Sequence, residues 1–366
     1  MQADGKVKLA RDGVPVTAGY AYLDTGSVGP ISSVYADALA RCTGEDLARG
    51  RALAHRFERI EAAKARIRAE IAGLLGAEAE AIELTRSTTD GIGLLLDRFP
   101  FSRGEEIVTT ALEFPACADV IGAAAHRRGL VVRVATPADD SADLGWLEAC
   151  VTAKTRLIVC SGVAYATGQK LPLDGIAQLA STRGIATLVD GAQLVGAAAL
   201  DMSRTPIDFL ALPLQKWLLG PEGLGALCTR PGRAEAPEAG RAARAVHGWP
   251  VLEATAQHLV WMRETLGWRW IHERTRDLSL YARRALEDIE PGRLVTPEAH
   301  AGLVSLKFEH QASLAIAERL RAAGIVPRHR AELDLVRIST AFFNTEDEID
   351  RCIDVVRARD GQRLIK

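Results

Sequence analysis

Lysine is scarce in this 366-residue sequence, because 37 of its 45 basic residues are arginines and only eight are lysines. The sequence also lacks an excess of either charge, with a formal net charge of −2 at pH 7. It contains no apolar run long enough to span a bilayer. The balanced charge argues against nucleic acid as a partner, and the missing apolar run argues against a membrane protein.

Cysteines with metal-binding spacing are missing as well. The six cysteines are scattered along the chain without a Cys-x-x-Cys pair. We therefore expect neither a metal site nor a disulfide framework. Residues 1–6 lack the apolar core of a signal peptide, so we expect the protein to be cytoplasmic.

The composition is that of a globular protein, with 48% hydrophobic and 25% charged residues. Between about residues 80 and 230, short β-branched runs alternate with amphipathic helical patterns. The strand candidates are residues 107–110, 131–134, 157–160, 187–189 and 209–212, and the helix candidates are residues 115–128, 143–153 and 173–183. This alternation predicts an α/β fold with a mostly parallel sheet covered on both faces and ligands at the carboxyl ends of its strands.

The pattern changes after residue 230. Residues 231–248 predict an irregular connection, and residues 252–289 predict a long helical region. Further strands and helices are expected at residues 303–306, 312–323 and 336–339 and from residue 345 onward. We therefore expect a large domain over residues 21–250 and a smaller C-terminal α/β lobe over residues 251–366, with an N-terminal segment, residues 1–20, packed near the small lobe.

Lys216 is the lysine with the most informative surroundings. It lies between an apolar stretch, Phe209–Leu212, and a turn rich in glycine. A desolvated amine can lose its proton, which an arginine cannot do, and a neutral amine can form a Schiff base. Taken alone, the position is equally typical of a lysine that caps the end of a strand.

Three consecutive hydroxyl residues, Ser87, Thr88 and Thr89, lie where a helix is expected to begin. Serine and threonine are good N-caps, so capping alone would explain them. A helix N-terminus with free N–H groups and a positive dipole end is also suited to a phosphate. Both interpretations are open from these residues.

Two further charged residues follow apolar strands. Asp190 ends the strand candidate at residues 187–189, where a buried carboxylate needs a cation such as a protonated pyridine nitrogen. The alternative is that it caps the next helix. Arg337, in the strand candidate of the small lobe, could hold a substrate carboxylate through two parallel hydrogen bonds. A structural salt bridge is the alternative for Arg337.

Three stretches then carry a resemblance to a known family: Tyr22–Pro30 (YLDTGSVGP), Leu214–Pro221 (LQKWLLGP) and Asn344–Asp350 (NTEDEID). Together with the order of hydroxyl cluster, acid, lysine and arginine, they resemble the class V branch of fold-type I pyridoxal-phosphate (PLP) enzymes. That branch includes cysteine desulfurases, selenocysteine lyases, isopenicillin N epimerase-like proteins and the C–S lyase of ergothioneine synthesis. The resemblance covers nearly the whole chain.

The resemblance implies a mostly parallel seven-stranded sheet between helices, PLP as the cofactor, an amino-acid substrate and a homodimer with the active site near its interface. Lys216 would form the Schiff base and move a proton at the substrate α-carbon. Asp190 would keep the pyridine nitrogen protonated, so that the ring accepts electrons. Gln193 would hydrogen-bond the phenolic oxygen of the ring.

The remaining roles concern the phosphate and the substrate. Thr88 and Thr89, next to Ser87, would hold the phosphate at the start of the helix. Thr255 would match a family threonine that reaches the phosphate across a dimer interface. Arg337 would bind the substrate carboxylate.

The sequence also departs from the family pattern. Phe114 stands where a histidine usually stacks on the cofactor ring, and it can stack there but cannot exchange protons. Gln215 replaces a histidine beside the lysine, Pro213 replaces a phosphate-binding serine, and Tyr165 replaces an asparagine that is usual in desulfurases. Cysteine desulfurases carry a loop cysteine before the C-terminal arginine, and residues 326–334 contain none.

The missing loop cysteine makes a persulfide mechanism unfavourable, so we expect β-elimination with C–S cleavage of a cysteine conjugate or sulfoxide. A PLP-dependent aminotransferase or epimerase is the alternative, because these reactions share the first deprotonation, and a decarboxylating variant stays open. A pseudoenzyme that binds the cofactor without catalysis is a remote alternative, disfavoured by the intact pair of Asp190 and Lys216.

Overall fold

The computed structural model describes residues 3–52, 55–137, 143–233, 247–290, 292–309 and 312–358. No helix among these residues is long and apolar enough to cross a membrane. Most of the predicted connection, residues 234–246, and the end of the predicted small lobe, residues 359–366, lie outside the described residues.

The helices are α1 (Ala3–Asp12), α2 (Ser33–Arg49), α3 (Arg56–Leu75), α4 (Thr88–Arg98), α5 (Pro115–Arg128), α6 (Gly145–Glu148), α7 (Leu173–Thr182), α8 (Trp249–Trp261), α9 (Trp268–Ala285), α10 (Ala312–Ala322) and α11 (Glu346–Arg357). The strands are β1 (Ala21–Tyr22), β2 (Ile82–Thr85), β3 (Glu106–Thr110), β4 (Val131–Ala135), β5 (Thr155–Ser161), β6 (Ala186–Asp190), β7 (Phe209–Pro213), β8 (Gly225–Thr229), β9 (Arg293–Leu294), β10 (Leu303–Lys307), β11 (Ile325–Val326), β12 (Arg328–Arg330) and β13 (Leu335–Ser339).

The large sheet has seven strands in the order β2-β8-β7-β6-β5-β3-β4. Strand β8 runs antiparallel to both of its neighbours, and the other pairs are parallel. The predicted mostly parallel seven-stranded sheet is therefore confirmed. The five strand candidates correspond to β3, β4, β5, β6 and β7. Strands β2 and β8, which form the antiparallel end of the sheet, were not predicted from the sequence.

Alternation of side chains explains why these strands lie between two helical layers. In β5, Ile158 packs into one buried cluster and Leu157 and Val159 into another. In β7, Leu210 and Phe209 separate in the same way. A strand with apolar side chains on both faces must be covered on both faces, because successive side chains point to opposite sides of the sheet.

The C-terminal part contains a four-stranded antiparallel sheet in the order β12-β13-β10-β9. Helix α11 starts with a capping box, in which Thr345 and Glu348 each bond the backbone N–H of the other residue. The expected small α/β lobe is therefore present. The short strand β1 of the N-terminal region pairs with β11 of this lobe in parallel.

Two helical predictions need correction. The helix expected over residues 143–153 is a single turn, α6, followed by a turn that leads into β5. The helical region expected over residues 252–289 is divided into α8 and α9. A π-helical turn at Met262–Leu266 separates them, and Gly267 adopts a positive φ of 81°. Glycine adopts this backbone conformation without the steric cost that a Cβ atom imposes.

The N-terminal segment contacts the small lobe through Arg11. Its guanidinium donates to the carbonyl of Phe343 at 2.9 Å and pairs with Glu348 at 2.7 Å. The position expected for residues 1–20 stays a prediction. The domain boundaries themselves stay predictions.

A buried histidine ties the start of α2 to the segment after Lys216. In α8, His258 is fully buried, with Nδ1 2.8 Å from the Ser32 hydroxyl and Nε2 2.8 Å from the carbonyl of Leu218. The carbonyl accepts from Nε2–H, so the neutral tautomer accepts from Ser32 at Nδ1. Burial lowers the pKa of His258 to about 4.

We expect His258→Gln to lower the free energy of unfolding at pH 7.5 by about 1–3 kcal/mol, because buried hydrogen-bonding groups lose a partner. The folded-state pKa lies below the usual 6.5, so neutral His258 stabilises the fold above pH 6.5. This contribution is lost as the pH falls from 6.5 towards 4. Urea unfolding of both proteins across this range should therefore show the difference between them shrinking. A constant difference would contradict the assignment.

Candidate active site

A cavity of about 240 Å³ lies at the carboxyl ends of β5, β6 and β7, the edge of the sheet where the strand pattern places a ligand. Its lining residues are Ser27, Ser87, Thr88, Thr89, Phe114, Cys117, Ser161, Val163, Tyr165, Asp190, Ala192, Gln193, Pro213, Gln215 and Lys216. All eight residues predicted to contact the cofactor are among them. They come from segments more than 120 residues apart in sequence, which the parallel strands bring together.

The N-terminus of α4 forms one side of the cavity. The Ser87 hydroxyl accepts from the backbone N–H of Asp90 at 3.0 Å and so caps the helix. Thr88 and Thr89 occupy the first turn. Gly225 in β8 lies against this turn, where a Cβ atom would be 3.0 Å from the carbonyl carbon of Ser87. The capping interpretation of Ser87 is therefore correct, and it leaves the helix end open to an anion.

Asp190 ends β6 and is almost fully buried. Its Oδ1 accepts from the backbone N–H of Ala192 at 2.8 Å, and its Oδ2 accepts from the Cys117 thiol at 3.0 Å. Cys117 lies in the first turn of α5 and was not predicted as a site residue from the sequence. The thiol is protonated in this contact, since burial and the charge of Asp190 both raise its pKa.

Lys216 follows the end of β7 and lines the cavity. Burial lowers the pKa of its amine to about 8, although the charge of Asp190 acts in the opposite direction. The positive charges of Arg337 and Arg330 lower this pKa further. A substantial fraction of the amine is therefore neutral near physiological pH, as a nucleophile or base requires.

The loop of the YLDTGSVGP motif holds the lysine segment in place. The backbone N–H of Gly29 donates to the carbonyl of Gln215 at 2.6 Å. A Cβ atom at Gly29 would lie 2.2 Å from the carbonyl oxygen of Lys216, so only glycine allows this approach. Gly29 of the motif is therefore needed for this close packing, which could not be predicted from the sequence.

Two glutamines complete the polar lining. Gln193 donates from Nε2 to the carbonyl of Gly26 at 2.7 Å and accepts at Oε1 from the indole N–H of Trp217 at 2.9 Å. These bonds fix its orientation and leave one N–H of the amide for a ligand. Gln215 has a buried Oε1 without a hydrogen-bond partner among the described residues. Such a group points to a missing ligand or water.

An aromatic pair lies beside the lysine. The Lys216 Nζ is 5.9 Å from the centre of the Phe114 ring, and Phe114 meets Tyr165 edge-on with ring centres 5.3 Å apart. Phe114 is 37% exposed, which is unusual for a phenylalanine beside a buried polar site. Its ring is available for stacking by a planar ligand.

A second buried carboxylate lies behind Asp190. Glu113 accepts from the backbone N–H of Ser161 at 2.9 Å, from the Ser161 hydroxyl at 2.8 Å and from the Thr110 hydroxyl. Burial raises the pKa of Glu113 to about 7, and the charge of Asp190 adds to this effect. Ser161 ends β5 and pairs with Asp190 of β6. This position at the end of a strand is the feature of the sequence that could have predicted Ser161 as a site residue.

Arg337 lies in β13, next to the cavity. It donates to the Ser27 hydroxyl at 2.9 Å and to the carbonyl of Tyr165, two residues that line the cavity. The Nη2 of Arg337 lies 3.7 Å from the Oδ1 of Asp24. Its Nε is buried without a hydrogen-bond partner among the described residues. The structural salt bridge weighed for this residue is thus present but long, and a donor remains free.

One residue assignment is wrong. Thr255 is fully buried within α8, where its hydroxyl donates to the carbonyl of Val251 at 2.7 Å. A side chain enclosed by its own chain cannot reach a phosphate in another subunit. The sequence similarity at this position was too short to separate a functional threonine from a structural one.

The residues of the cavity fit PLP. The open end of α4 offers N–H groups and hydroxyls to a phosphate, Asp190 offers a buried anion to a protonated ring nitrogen, and Gln193 keeps one N–H for the phenolic oxygen. Lys216 offers an amine for the aldehyde. The unpartnered Oε1 of Gln215 supports a ligand at this place. Among the described residues, no group of three or more metal-ligating side chains competes as an alternative centre.

Sequence comparison agrees with this geometry. The family profile described as Aminotransferase class-V matches residues 22–240, more than half of the chain. Isopenicillin N epimerase of Streptomyces clavuligerus is 30% identical over 93% of this chain and 95% of its own length. A cysteine desulfurase of Serratia proteamaculans is 26% identical over 78% of this chain and 80% of its own length.

Solved structures share the fold. The cystine C–S lyase C-DES, in complex with its reaction product cysteine persulfide, has a TM-score of 0.87 at 23% identity, over 94% of this chain and 99% of that one. C-DES has also been solved with glycine covalently linked to its PLP cofactor. The cysteine desulfurase of Thermococcus onnurineus NA1 has a TM-score of 0.81 at 21% identity, over 96% and 97% of the two chains. The chain belongs to the class V aminotransferase family of PLP-dependent enzymes.

Proposed function

We propose that this enzyme is a C–S β-lyase that cleaves a cysteine conjugate or a cysteine sulfoxide. The observation that carries this proposal is a cavity with one buried amine, Lys216, beside a non-titratable aromatic ring, Phe114. Among the described residues that line the cavity, no thiol is free to attack a substrate sulfur. β-Elimination needs one base at the α-carbon and no attacking thiol. The chain's place among PLP-dependent enzymes that act on amino acids is compatible with this reaction.

When bound, PLP supplies the electron sink that makes the α-proton of an amino acid acidic. Lys216 would hold the cofactor in the resting enzyme, and its amine would take the α-proton of a bound substrate. Its lowered pKa keeps a neutral amine available for this step. Release of the β-sulfur substituent then needs no further residue that attacks sulfur.

Asp190 maintains the cofactor's ability to accept electrons. Its carboxylate, fixed by Ala192 and Cys117, would pair with the ring nitrogen and favour its protonated form. Gln193 would bond the phenolic oxygen, and Thr88 and Thr89 would hold the phosphate together with the free N–H groups of α4. These assignments rest on the chemistry of the groups and their shared cavity.

Arg337 would bind the substrate carboxylate. Its partners Ser27 and Tyr165 keep the guanidinium beside the cavity, and the N–H at Nε has no bond among the described residues. A carboxylate held at this point orients the α-carbon for proton removal by Lys216. Orientation of this kind contributes much of the rate in reactions between a substrate and a fixed base.

The cysteines support elimination over persulfide chemistry. Cys117 is the thiol that lines the cavity, and its hydrogen atom is donated to Asp190. Its raised pKa keeps the thiolate population low. Residues 326–334 contain no cysteine that could take the place of the loop thiol of desulfurases.

Epimerisation is the second candidate, favoured by the 30% identity to isopenicillin N epimerase. Epimerisation requires a second group that returns a proton from the opposite side of the α-carbon. Phe114 has no proton to give. Tyr165, which contacts Phe114 and lines the cavity, carries a hydroxyl group that would be the candidate for this role. Transamination needs Lys216 alone and is the third outcome to be tested. The homodimer, the cytoplasmic location and the domain boundaries also stay predictions.

We expect the protein mixed with PLP to develop a visible absorbance band that borohydride abolishes, because Lys216 forms a reducible bond with the aldehyde. Lys216→Ala should show no such band and should lose at least about 1,000-fold in turnover, as expected for a lost nucleophile and base. Lys154→Ala, which removes a lysine in the turn before β5, is the matched control. A borohydride-sensitive band in Lys216→Ala would contradict the assignment.

The rate at which PLP couples to the apoprotein should depend on pH with a midpoint of about 8. Only the neutral amine attacks the aldehyde, so the rate should rise about tenfold per pH unit below the pKa and level off above it. Stopped-flow absorbance between pH 6 and pH 10 measures this profile. An increase that continues towards pH 10 would indicate that the environment does not lower the pKa of Lys216.

A product assay separates the three reactions. With S-substituted cysteines and their sulfoxides, a β-lyase yields pyruvate and ammonia with the thiol or sulfenic acid in equal amounts. An epimerase yields the D-amino acid without pyruvate, and an aminotransferase yields a keto acid only when an amino acceptor is added. We expect pyruvate in stoichiometric amounts from the wild-type enzyme and none from Lys216→Ala. Transfer of the amino group without pyruvate would reject the lyase proposal.

A further inference from the structure

Three arginines share one face of the ribbon formed by β12 and β13. Arg328 pairs with Arg337 across the two strands, and Arg330 lies two residues further along β12. Residues opposite each other, and residues two apart in a strand, present their side chains on the same face. The face that carries the proposed carboxylate ligand Arg337 therefore carries two additional positive charges.

Arg330 is buried and has an unused hydrogen-bond donor. The residue is 9% exposed, and its Nε has no hydrogen-bond partner among the described residues. A buried guanidinium N–H normally finds an acceptor, because leaving it unpaired costs free energy. Arg337 has the same unpaired Nε. Two neighbouring buried arginines with unpartnered Nε donors are suited to an anion with more than one acceptor group.

Tyr165 places Arg330 at the cavity. The guanidinium carbon of Arg330 lies 4.7 Å from the centre of the Tyr165 ring, and the carbonyl of the same tyrosine accepts from Arg337. Tyr165 lines the cavity and meets Phe114, which lies beside Lys216. Arg337 thus contacts the backbone of Tyr165, and Arg330 contacts its ring.

The ion pair of Arg330 does not exclude a ligand. Glu332 lies 2.7 Å from Arg330, and its side chain is 56% exposed. An ion pair with so exposed a carboxylate is screened by water and contributes little to stability. A substrate anion held closer to the buried side of the guanidinium can therefore bind in addition to Glu332 or displace it.

We propose that Arg330 binds a second carboxylate at the end of the substrate side chain, so that the preferred substrate is an S-substituted cysteine that carries a terminal acid. Arg337 takes the α-carboxylate, and Arg330 takes the distal one. This inference rests on the proposed function, because it assumes that Arg337 holds the amino-acid end of the substrate. It makes Arg330 a specificity residue rather than a catalytic residue.

S-Carboxymethyl-L-cysteine and S-ethyl-L-cysteine provide a matched pair of probes that differ in a terminal carboxylate or methyl group. Stopped-flow mixing of each probe with the PLP-loaded enzyme, followed by the change in cofactor absorbance before turnover, gives the Kd of each. We expect the acid to bind at least about tenfold tighter, as a charge-assisted hydrogen bond would give. Arg330→Gln should remove this preference and change the affinity for the ethyl compound less than about threefold.

Three variants separate recognition from a structural role. Glu332→Gln removes the competing carboxylate and should tighten binding of the acid, whereas a structural role for the Arg330–Glu332 pair predicts no gain. Arg337→Gln should weaken both probes. Arg321→Gln, at an exposed arginine of α10, should change neither. Equal affinity of the wild-type enzyme for the two probes, or an equal loss of both in Arg330→Gln, would overturn the inference.

Failure of the proposed function gives a different result. If the lyase assignment alone is wrong, the acid binds preferentially but yields no pyruvate. If no cofactor band forms, calorimetry of the apoprotein with glutarate and butyrate tests the arginine pair directly. Preferential binding of glutarate that is lost in Arg330→Gln supports the second subsite, and equal or absent binding of both acids rejects it.

Discussion

The attraction between Asp190 and Lys216 inside a desolvated cavity is the interaction on which the site depends. Burial alone would make both charges costly, and it does lower the pKa of the amine to about 8. The carboxylate limits that effect, and its own position is fixed by Ala192 and Cys117. Lys216 is therefore neutral in part of the molecules near physiological pH and charged in the rest. The Asp190 carboxylate is available as the partner of a protonated ring nitrogen.

The parallel strands of the large sheet bring Asp190 and Lys216 together. Asp190 ends β6 and Lys216 follows β7, so that two neighbouring strands deliver the acid and the amine to the same edge. The approach of Gly29 and the bond from His258 to Leu218 then hold the segment on both sides of the lysine. The side of the cavity next to Arg337 is built differently, from an antiparallel sheet in the C-terminal part of the chain.

Much of this arrangement was predictable from sequence because it depends on local patterns. Apolar runs placed five strands, and the pattern of hydroxyl, acid and lysine residues placed five cavity residues, namely Ser87, Thr88, Thr89, Asp190 and Lys216. The family resemblance added Phe114, Gln193 and Gln215. Contacts between distant segments were not predictable. The Cys117 bond to Asp190, the stacking of Arg330 on Tyr165 and the burial of Thr255 depend on packing. The antiparallel β8 was missed because Gly225 and Ala226 weaken its strand pattern.

The contact between Cys117 and Asp190 also has a consequence for oxidation. An oxidised sulfur would carry additional oxygen atoms and negative charge against the carboxylate, and the hydrogen bond would be lost. The site therefore requires a reduced thiol. The same burial raises the pKa of Cys117 and so keeps the reactive thiolate rare. The low reactivity of Cys117 thus preserves its hydrogen bond to Asp190.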